Sequence, residues 1–314
     1  MSQVQSLAER AAEGDQRALG RLITIVENGG ARVREVAAAF APRSGRAQVV
    51  GLTGSPGVGK STTTTALVAA FRAEGKRVAV LAIDPSSPFT GGAILGDRVR
   101  MQEHALDAGV YIRSMSSRGH LGGLAAATPQ AVRVLDGAGF DVILVETVGV
   151  GQAEVEVAGL ADTTLVLLAP GMGDGIQAVK AGILEVADVF VVNKADRDGA
   201  DAAFRDIRSM MALVTREPDE WRQPIVKTVA HRQEGIEELV EAIDKHHGWL
   251  REHGELARRR RQRARAEVGA IVLGALAQRY KVTDELAARV VDGDLDPYAA
   301  ADEVLGQDDA RGER

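Results

Sequence analysis

From Gln48 onward, short uninterrupted aliphatic runs alternate with amphipathic stretches of ten to eighteen residues, and this alternation restricts the fold more than any other feature of the chain. The runs are Val49-Val50-Gly51-Leu52-Thr53, Val78 to Ile83, Val142 to Val145, Thr163 to Ala169, Val189 to Val192 and Ile225 to Thr228. A strand that is apolar at every position is buried on both faces. Strands of that kind, separated by helices, make right-handed crossovers and predict an α/β fold built on a doubly wound, mostly parallel sheet. Residues 2 to about 42 carry apolar side chains at three-to-four spacing (Leu19, Leu22, Ile23, Val26) up to a break at Gly29-Gly30. They read as a helical cap. Beyond about residue 234 only helical pattern continues, through Leu239, Ile243, Leu250 and Leu256, then Val268, Ile271, Val272, Leu276 and Tyr280, with a last short piece around Leu286, Val290 and Val291. The expected division is therefore a cap over 1–45, a phosphate-loop domain over 46–248 and a helical arm over 249–314. The helical ends are expected to pack on the sheet or on a second subunit.

The chain has no cysteine, which excludes disulfide scaffolds, thiolate zinc sites, iron–sulfur clusters and cysteine nucleophiles. Its 38 basic and 44 acidic residues leave a net charge of −6, which argues against broad capture of nucleic acid or anionic membrane. No apolar run approaches the length of a membrane span, and the acidic first thirty residues lack a signal-peptide core. A cytoplasmic location is the expectation.

Gly54-Ser55-Pro56-Gly57-Val58-Gly59-Lys60-Ser61 matches the phosphate-loop pattern, with a buried strand ending at Thr53 and a helix beginning at Lys60. Glycines let backbone N–H groups converge on phosphate oxygens, Lys60 brings a positive charge to the terminal phosphates, and the Ser61 hydroxyl is a magnesium ligand candidate. Asn193-Lys194-Ala195-Asp196 follows another buried strand, at the carboxyl end where ligands bind in open α/β sheets. The Asp196 carboxylate can accept from both N1–H and the 2-amino group of guanine, a donor pair adenine lacks, and so selects GTP over ATP. Val229-Ala230-His231 follows the next strand and offers backbone N–H groups to the base. Asp84, ending the run Val78 to Ile83, would lie beside the phosphate loop if that strand is its neighbour. Glu146, ending Val142 to Val145, takes the position of the acid that serves magnesium in other nucleotidases. Gly149 offers an N–H to the γ-phosphate, and Asp97 is a third acid within reach. Magnesium needs only one or two of these carboxylates directly or through water.

Arg118, in a glycine-rich loop, is expected to be solvated or paired with an acid. The run Arg258 to Arg265 lacks interleaved aromatics and is expected to be a solvated or subunit-facing helix face. His246, His247 and His253 lack ligand partners at suitable spacing and are expected on the surface. Gly171 to Gly175, three glycines in five residues, is a candidate switch segment together with Lys180.

Gly-Ser-Pro-Gly-Val-Gly-Lys-Ser-Thr, Asp-Pro-Ser-Ser, Gly-Gly-x-Ile-Leu-Gly-Asp-x-x-Arg-Met, Glu-Thr-Val-Gly-Val-Gly-Gln and Asn-Lys-x-Asp, in that order, resemble the motifs of the MeaB/ArgK GTPases. That family comprises chaperones of adenosylcobalamin-dependent methylmalonyl-CoA mutase and includes the methylmalonic aciduria type A protein. The resemblance covers about residues 15 to 290. It implies binding of GTP and GDP by Gly54, Ser55, Pro56, Gly57, Val58, Gly59, Lys60, Ser61 and Thr62, with Asn193, Lys194, Asp196, Val229, Ala230 and His231. It implies Mg2+ near Ser61, Asp84, Asp97 and Glu146, hydrolysis served by Lys60, Glu146 and Gly149, and a homodimer formed through the helical arm. Relatives often have Ser-Ala where this chain has Val229-Ala230, a small departure because backbone groups do the work. Two other functions fit less well: a metal-insertion GTPase, for which Cys/His ligands are missing, and an ATP-dependent protein kinase, for which there is no catalytic-loop signature.

Overall fold

The computed structural model describes residues 2–84, 104, 106–116, 127–147, 153–171, 184–213, 217 and 219–306. The chain divides into two compact units, Met1–Arg261 and Gln262–Arg314. Among the described residues of the first unit, seven parallel strands form one sheet: β1 (Gln48–Thr53), β2 (Val78–Asp84), β3 (Val110–Ser116), β4 (Val142–Thr147), β5 (Thr163–Leu168), β6 (Val189–Asn193) and β7 (Ile225–Thr228). Their order is β3-β2-β4-β1-β5-β6-β7. The phosphate-loop strand β1 is thus central, and it is flanked by β4 and β5. That order corrects the conditional placing of Asp84. β4 stands between β2 and β1, so the end of β2 lies beside the end of β4, with Ile83 opposite Thr147, rather than beside the loop.

Six strands coincide with the aliphatic runs. β3 is the strand the runs do not reveal, because Arg113, Ser114 and Ser116 interrupt its apolar character. Among the described residues it is an edge strand paired only with β2, and an edge position tolerates polar side chains more readily than a central strand does.

Side-chain alternation divides the core by sheet face. One face carries Val49, Leu81, Ile143 and Val145, covered by α1 (Gln3–Ala12), α2 (Gln16–Asn28), α3 (Arg32–Phe40), α5 (Ala127–Gly137) and α6 (Ala153–Leu160). The other carries Val50, Leu52, Val80, Leu144 and Leu165, covered by α4 (Lys60–Ala73) and α8 (Ile236–Glu252). At the far edge, α7 (Ala200–Met211) packs on Phe190 and Val192. The N-terminal helices therefore share a core with the sheet. Ser2 and Asp15 cap α1 and α2 by accepting backbone N–H groups.

The histidine expectation is corrected at one position. His246 is 0% exposed, because it continues the stripe Leu239, Ile243, Leu250 that α8 turns toward the sheet. Its Nδ1 lies 2.9 Å from Thr163 Oγ1, and its Nε2 lies 3.2 Å from Asp188 Oδ1. An Asp–His–Thr series of this kind has the residue types of a nucleophilic triad, but Thr163 is fully buried and no substrate can meet it. The set is structural.

The arginine-run expectation is corrected at two positions. At the start of α9 (Glu255–Arg279), Arg259 and Arg260 turn toward the sheet rather than the solvent. Arg259 forks onto Asp188, 8% exposed, with both bonds at 2.9 Å. Arg260 binds Asp162, 0% exposed, at 2.8 Å and also donates to the carbonyls of Gly45 and Ala47. Asp162 in turn accepts from Val49 N–H, and Asp188 from Thr164 N–H. These carboxylates secure the entry ends of β1, β5 and β6, whose exit ends carry the candidate site. Burial by itself would raise the Asp188 carboxyl, but the nearby His246 ring and the Arg259 fork outweigh it and hold the group below the usual carboxylate range.

Breaking a buried ion pair by removing one partner costs about 3–5 kcal/mol, and partial exposure of Arg259 brings Arg259→Ala to about 2–3 kcal/mol. Because the folded-state pKa of Asp188 is lowered, its contribution is present above the unfolded carboxylate value and lost as pH falls through the folded one. The deficit of Arg259→Ala should be full at neutral pH and shrink in acid. Urea unfolding at several pH values checks this, and a deficit independent of pH would show that the pairing is not electrostatic.

In the second unit, α9 continues to Arg279 and is followed by α10 (Asp284–Val291) and α11 (Pro297–Gly306), with a small cluster of Leu286, Ala300 and Val304. Val268, Ile271, Val272, Leu273 and Leu276 are exposed in the single chain. Among the described residues, no helix is long and apolar enough to cross a membrane.

Candidate nucleotide site

The exit end of β1 runs into the loop 54–59, and two of its glycines are required by sterics. Gly54 has φ +138°, and a Cβ there would lie 2.3 Å from the Leu167 carbonyl oxygen. Gly59 has φ +98°, and a Cβ there would meet the Asn193 amide at 2.3 Å. Only glycine lets the loop pass this close to β5 and β6. α4 begins directly at Lys60, so its first N–H groups and its dipole are aimed at the space enclosed by the loop. Lys60 is 7% exposed, and its Nζ donates to the carbonyls of Gly54 (2.6 Å) and Ser55 (3.1 Å). The ammonium is therefore held over the loop.

Asn193 ties the turn after β6 to the loop after β1 and to the segment after β7. Its Nδ2 donates to the Val58 carbonyl at 2.8 Å, and its Oδ1 accepts from Thr228 Oγ1 (3.1 Å) and Ala230 N–H (3.2 Å). Lys194, in the left-handed region at φ +57°, sends its Nζ to the Gly57 carbonyl. The turn after β6 closes with Ala195 N–H on the Thr228 carbonyl, and the Asp196 side chain remains 29% exposed with Arg232 at 3.8 Å. Of the three amides in Val229-Ala230-His231, that of Val229 donates to Glu234 and that of Ala230 to Asn193, so two are already engaged.

Register brings Glu146 of β4 opposite Leu52 of β1, next to the phosphate loop. It is 1% exposed, accepting from Ser61 Oγ at 2.5 Å and from Thr64 Oγ1 at 2.9 Å. Thr64 did not stand out in the sequence, where it is one of four consecutive threonines. Among the described residues, no group of three or more His, Cys, Asp or Glu side chains could hold a metal by itself. Ser61 and Glu146 supply hard oxygen atoms of the kind Mg2+ takes, and they fit a metal whose remaining ligands are phosphate and water. Asp84 ends β2, and only its backbone is described. Asp97, Arg118, Gly149, Lys180 and all of Gly171 to Gly175 except Gly171 itself lie outside the described residues.

A glycine loop between a central parallel strand and a helix, a lysine over the loop, and an Asn-Lys-x-Asp turn tied back to it define a P-loop GTPase fold. The family model described as "Methylmalonyl Co-A mutase-associated GTPase MeaB" matches residues 19–285. The chain belongs to the MeaB family, and it is a GTPase that binds guanine nucleotide. It is similar to a Pyrococcus abyssi protein, 48% identical over 313 residues that cover 96% of each chain. It is also similar to the mitochondrial methylmalonic aciduria type A homolog of Mus musculus, 33% identical over 96% of this chain and 79% of that one. A solved structure described as a LAO/AO transport system kinase superposes with a TM-score of 0.72 at 27% identity, covering 97% of this chain and 98% of the other.

Proposed function

We propose that this protein is a GTP-dependent chaperone of an adenosylcobalamin-dependent methylmalonyl-CoA mutase, gating cofactor loading or protection of that enzyme. The observation that carries the reading is the family match over residues 19–285, whose description names association with that mutase. In this reading Gly54 to Thr62 cradle the phosphates, Lys60 neutralises charge developing on the γ-phosphate, and Gly149 donates to it. Ser61 and Glu146 would hold Mg2+, with Asp84 and Asp97 as further candidate acids, and the metal would supply charge neutralisation at the phosphates. Asn193, Lys194 and Asp196 read guanine, closed over by Val229, Ala230 and His231. The exposed stripe Val268, Ile271, Val272 and Leu276 supports a homodimer, since contiguous apolar surface of this kind marks an interface. The working location is the cytoplasm.

Val150, not glutamine, follows Gly149, so the chain lacks a water-orienting side chain at that point and turns over slowly by itself. A partner supplying transition-state charge would accelerate it by about 10³- to 10⁵-fold. The test is to immobilise the full chain and present purified mutase with a non-hydrolysable GTP analogue, with GDP or without nucleotide. Retention should depend on the nucleotide, the retained species should contain two copies of this chain, and mutase should stimulate GTP turnover. Equal retention in all three conditions together with unstimulated turnover would overturn the reading.

A further inference from the structure

Glu146 is held by two hydroxyls from one face of α4. Ser61 and Thr64 are three residues apart and therefore neighbours on the helix surface, and the adjacency of β4 and β1 brings the carboxylate against them. Each hydroxyl takes a different oxygen: Ser61 donates to Oε1 and Thr64 to Oε2. The two hydroxyls are not equivalent. Ser61 is partly exposed at the mouth of the loop and can turn an oxygen lone pair to a cation while its O–H donates to Glu146. Thr64 is 0% exposed, one turn further into the helix, and meets neither solvent nor phosphate. Its single proton has two acceptors, Glu146 Oε2 at 2.9 Å and the Lys60 carbonyl at 3.1 Å. The carboxylate oxygen is the closer of the two.

We propose that Thr64 is a positioning residue of the metal site, tethering Oε2 of Glu146 so that Oε1 is presented to Ser61 and the cation. The proposal rests on the reading of Glu146 as the metal-side carboxylate. Outer-shell groups of this kind set metal affinity through the orientation of the ligand they hold. Thr64→Val keeps the shape of the side chain and removes only the tether. Thr64→Ser restores the hydroxyl.

The experiment measures the free Mg2+ concentration that half-maximally slows release of a fluorescent N-methylanthraniloyl GTP, in wild type, Thr64→Val, Thr64→Ser and Glu146→Gln. Nucleotide affinity in EDTA and thermal unfolding are followed in parallel. Thr64→Val should raise the half-saturating Mg2+ by about tenfold, the lower end of what outer-shell changes produce. Its affinity in EDTA should stay close to wild type, and Thr64→Ser should recover the wild-type Mg2+ dependence. If Thr64→Val behaves as wild type while Glu146→Gln shifts the Mg2+ dependence, the role of Thr64 is overturned and that of Glu146 stands. If Glu146→Gln is also silent, the reading of Glu146 falls, and Thr64 with it. Equal weakening of nucleotide binding with and without Mg2+ in Thr64→Val would make the residue merely structural and overturn the proposal.

Discussion

Lys60→Ala is expected to lower GTP hydrolysis at saturating nucleotide by about 10²- to 10³-fold, the cost of removing one preorganised charge-stabilising donor. The magnitude follows from how the ammonium is held. Buried and bonded to the carbonyls of Gly54 and Ser55, it is fixed over the loop whose amides are read as the phosphate cradle. Its compact, three-donor geometry also fits inside the loop. Lys60→Arg should therefore fail to rescue, since a planar guanidinium cannot take the same two carbonyls and point at the phosphate. Single-turnover hydrolysis separates this loss from nucleotide affinity, which a labelled GDP titration measures independently. Turnover within tenfold of wild type in a folded Lys60→Ala protein would remove the phosphate-loop assignment.

The second large effect concerns the base. Asp196→Asn should exchange preference for GTP for preference for XTP, shifting the affinity ratio by about 10⁴, because mispairing leaves buried polar groups unsatisfied. The carboxylate accepts twice from guanine. The amide donates to the xanthine 2-oxo group and repels the guanine 2-amino group. Asp196 is well placed for this exchange: its turn is anchored by Ala195 N–H on Thr228, and Asn193 ties the same turn to Val58, so substitution changes the hydrogen-bonding pattern and not the position. Competition titrations with GTP, XTP and ATP read the ratio. Wild-type binding of ATP as tight as GTP, or an unchanged XTP ratio in the variant, would show that Asp196 does not read the base.

Both predictions concern motifs that are contiguous in the chain, and such motifs are legible because their chemistry is local. A phosphate loop needs its glycines within a few residues of one another, and Asn193 to Asp196 needs only the turn that follows a buried strand. The buried strands were legible for a related reason: a strand covered on both faces is apolar at most positions, and that requirement is written into consecutive residues. β3 escaped because an edge strand is free of it, so Arg113 and Ser114 broke the pattern without breaking the strand.

The misread arginines and histidine show the converse. Arg259 and Arg260 sit in a run of like charges that by itself predicts solvation, and their partners Asp188 and Asp162 are 71 and 98 residues away. Nothing local distinguishes Arg259 from Arg261. His246 was legible in principle, since it falls on the stripe of Leu239, Ile243 and Leu250, yet an isolated titratable side chain reads as exposed until Thr163 and Asp188 are seen beside it.

The fold class, the phosphate-loop motif, the Asn-Lys-x-Asp turn and the family were legible without the structure, because each depends on residues close together along the chain. Strand order, the insertion of β4 between β2 and β1, and the meeting of Thr64 with Glu146 across 82 residues were decided only by the tertiary structure. The reason is physical: a residue's neighbours along the chain constrain its backbone conformation, whereas its partners across the sheet depend on which strands pair, and pairing is settled by burial of the whole core.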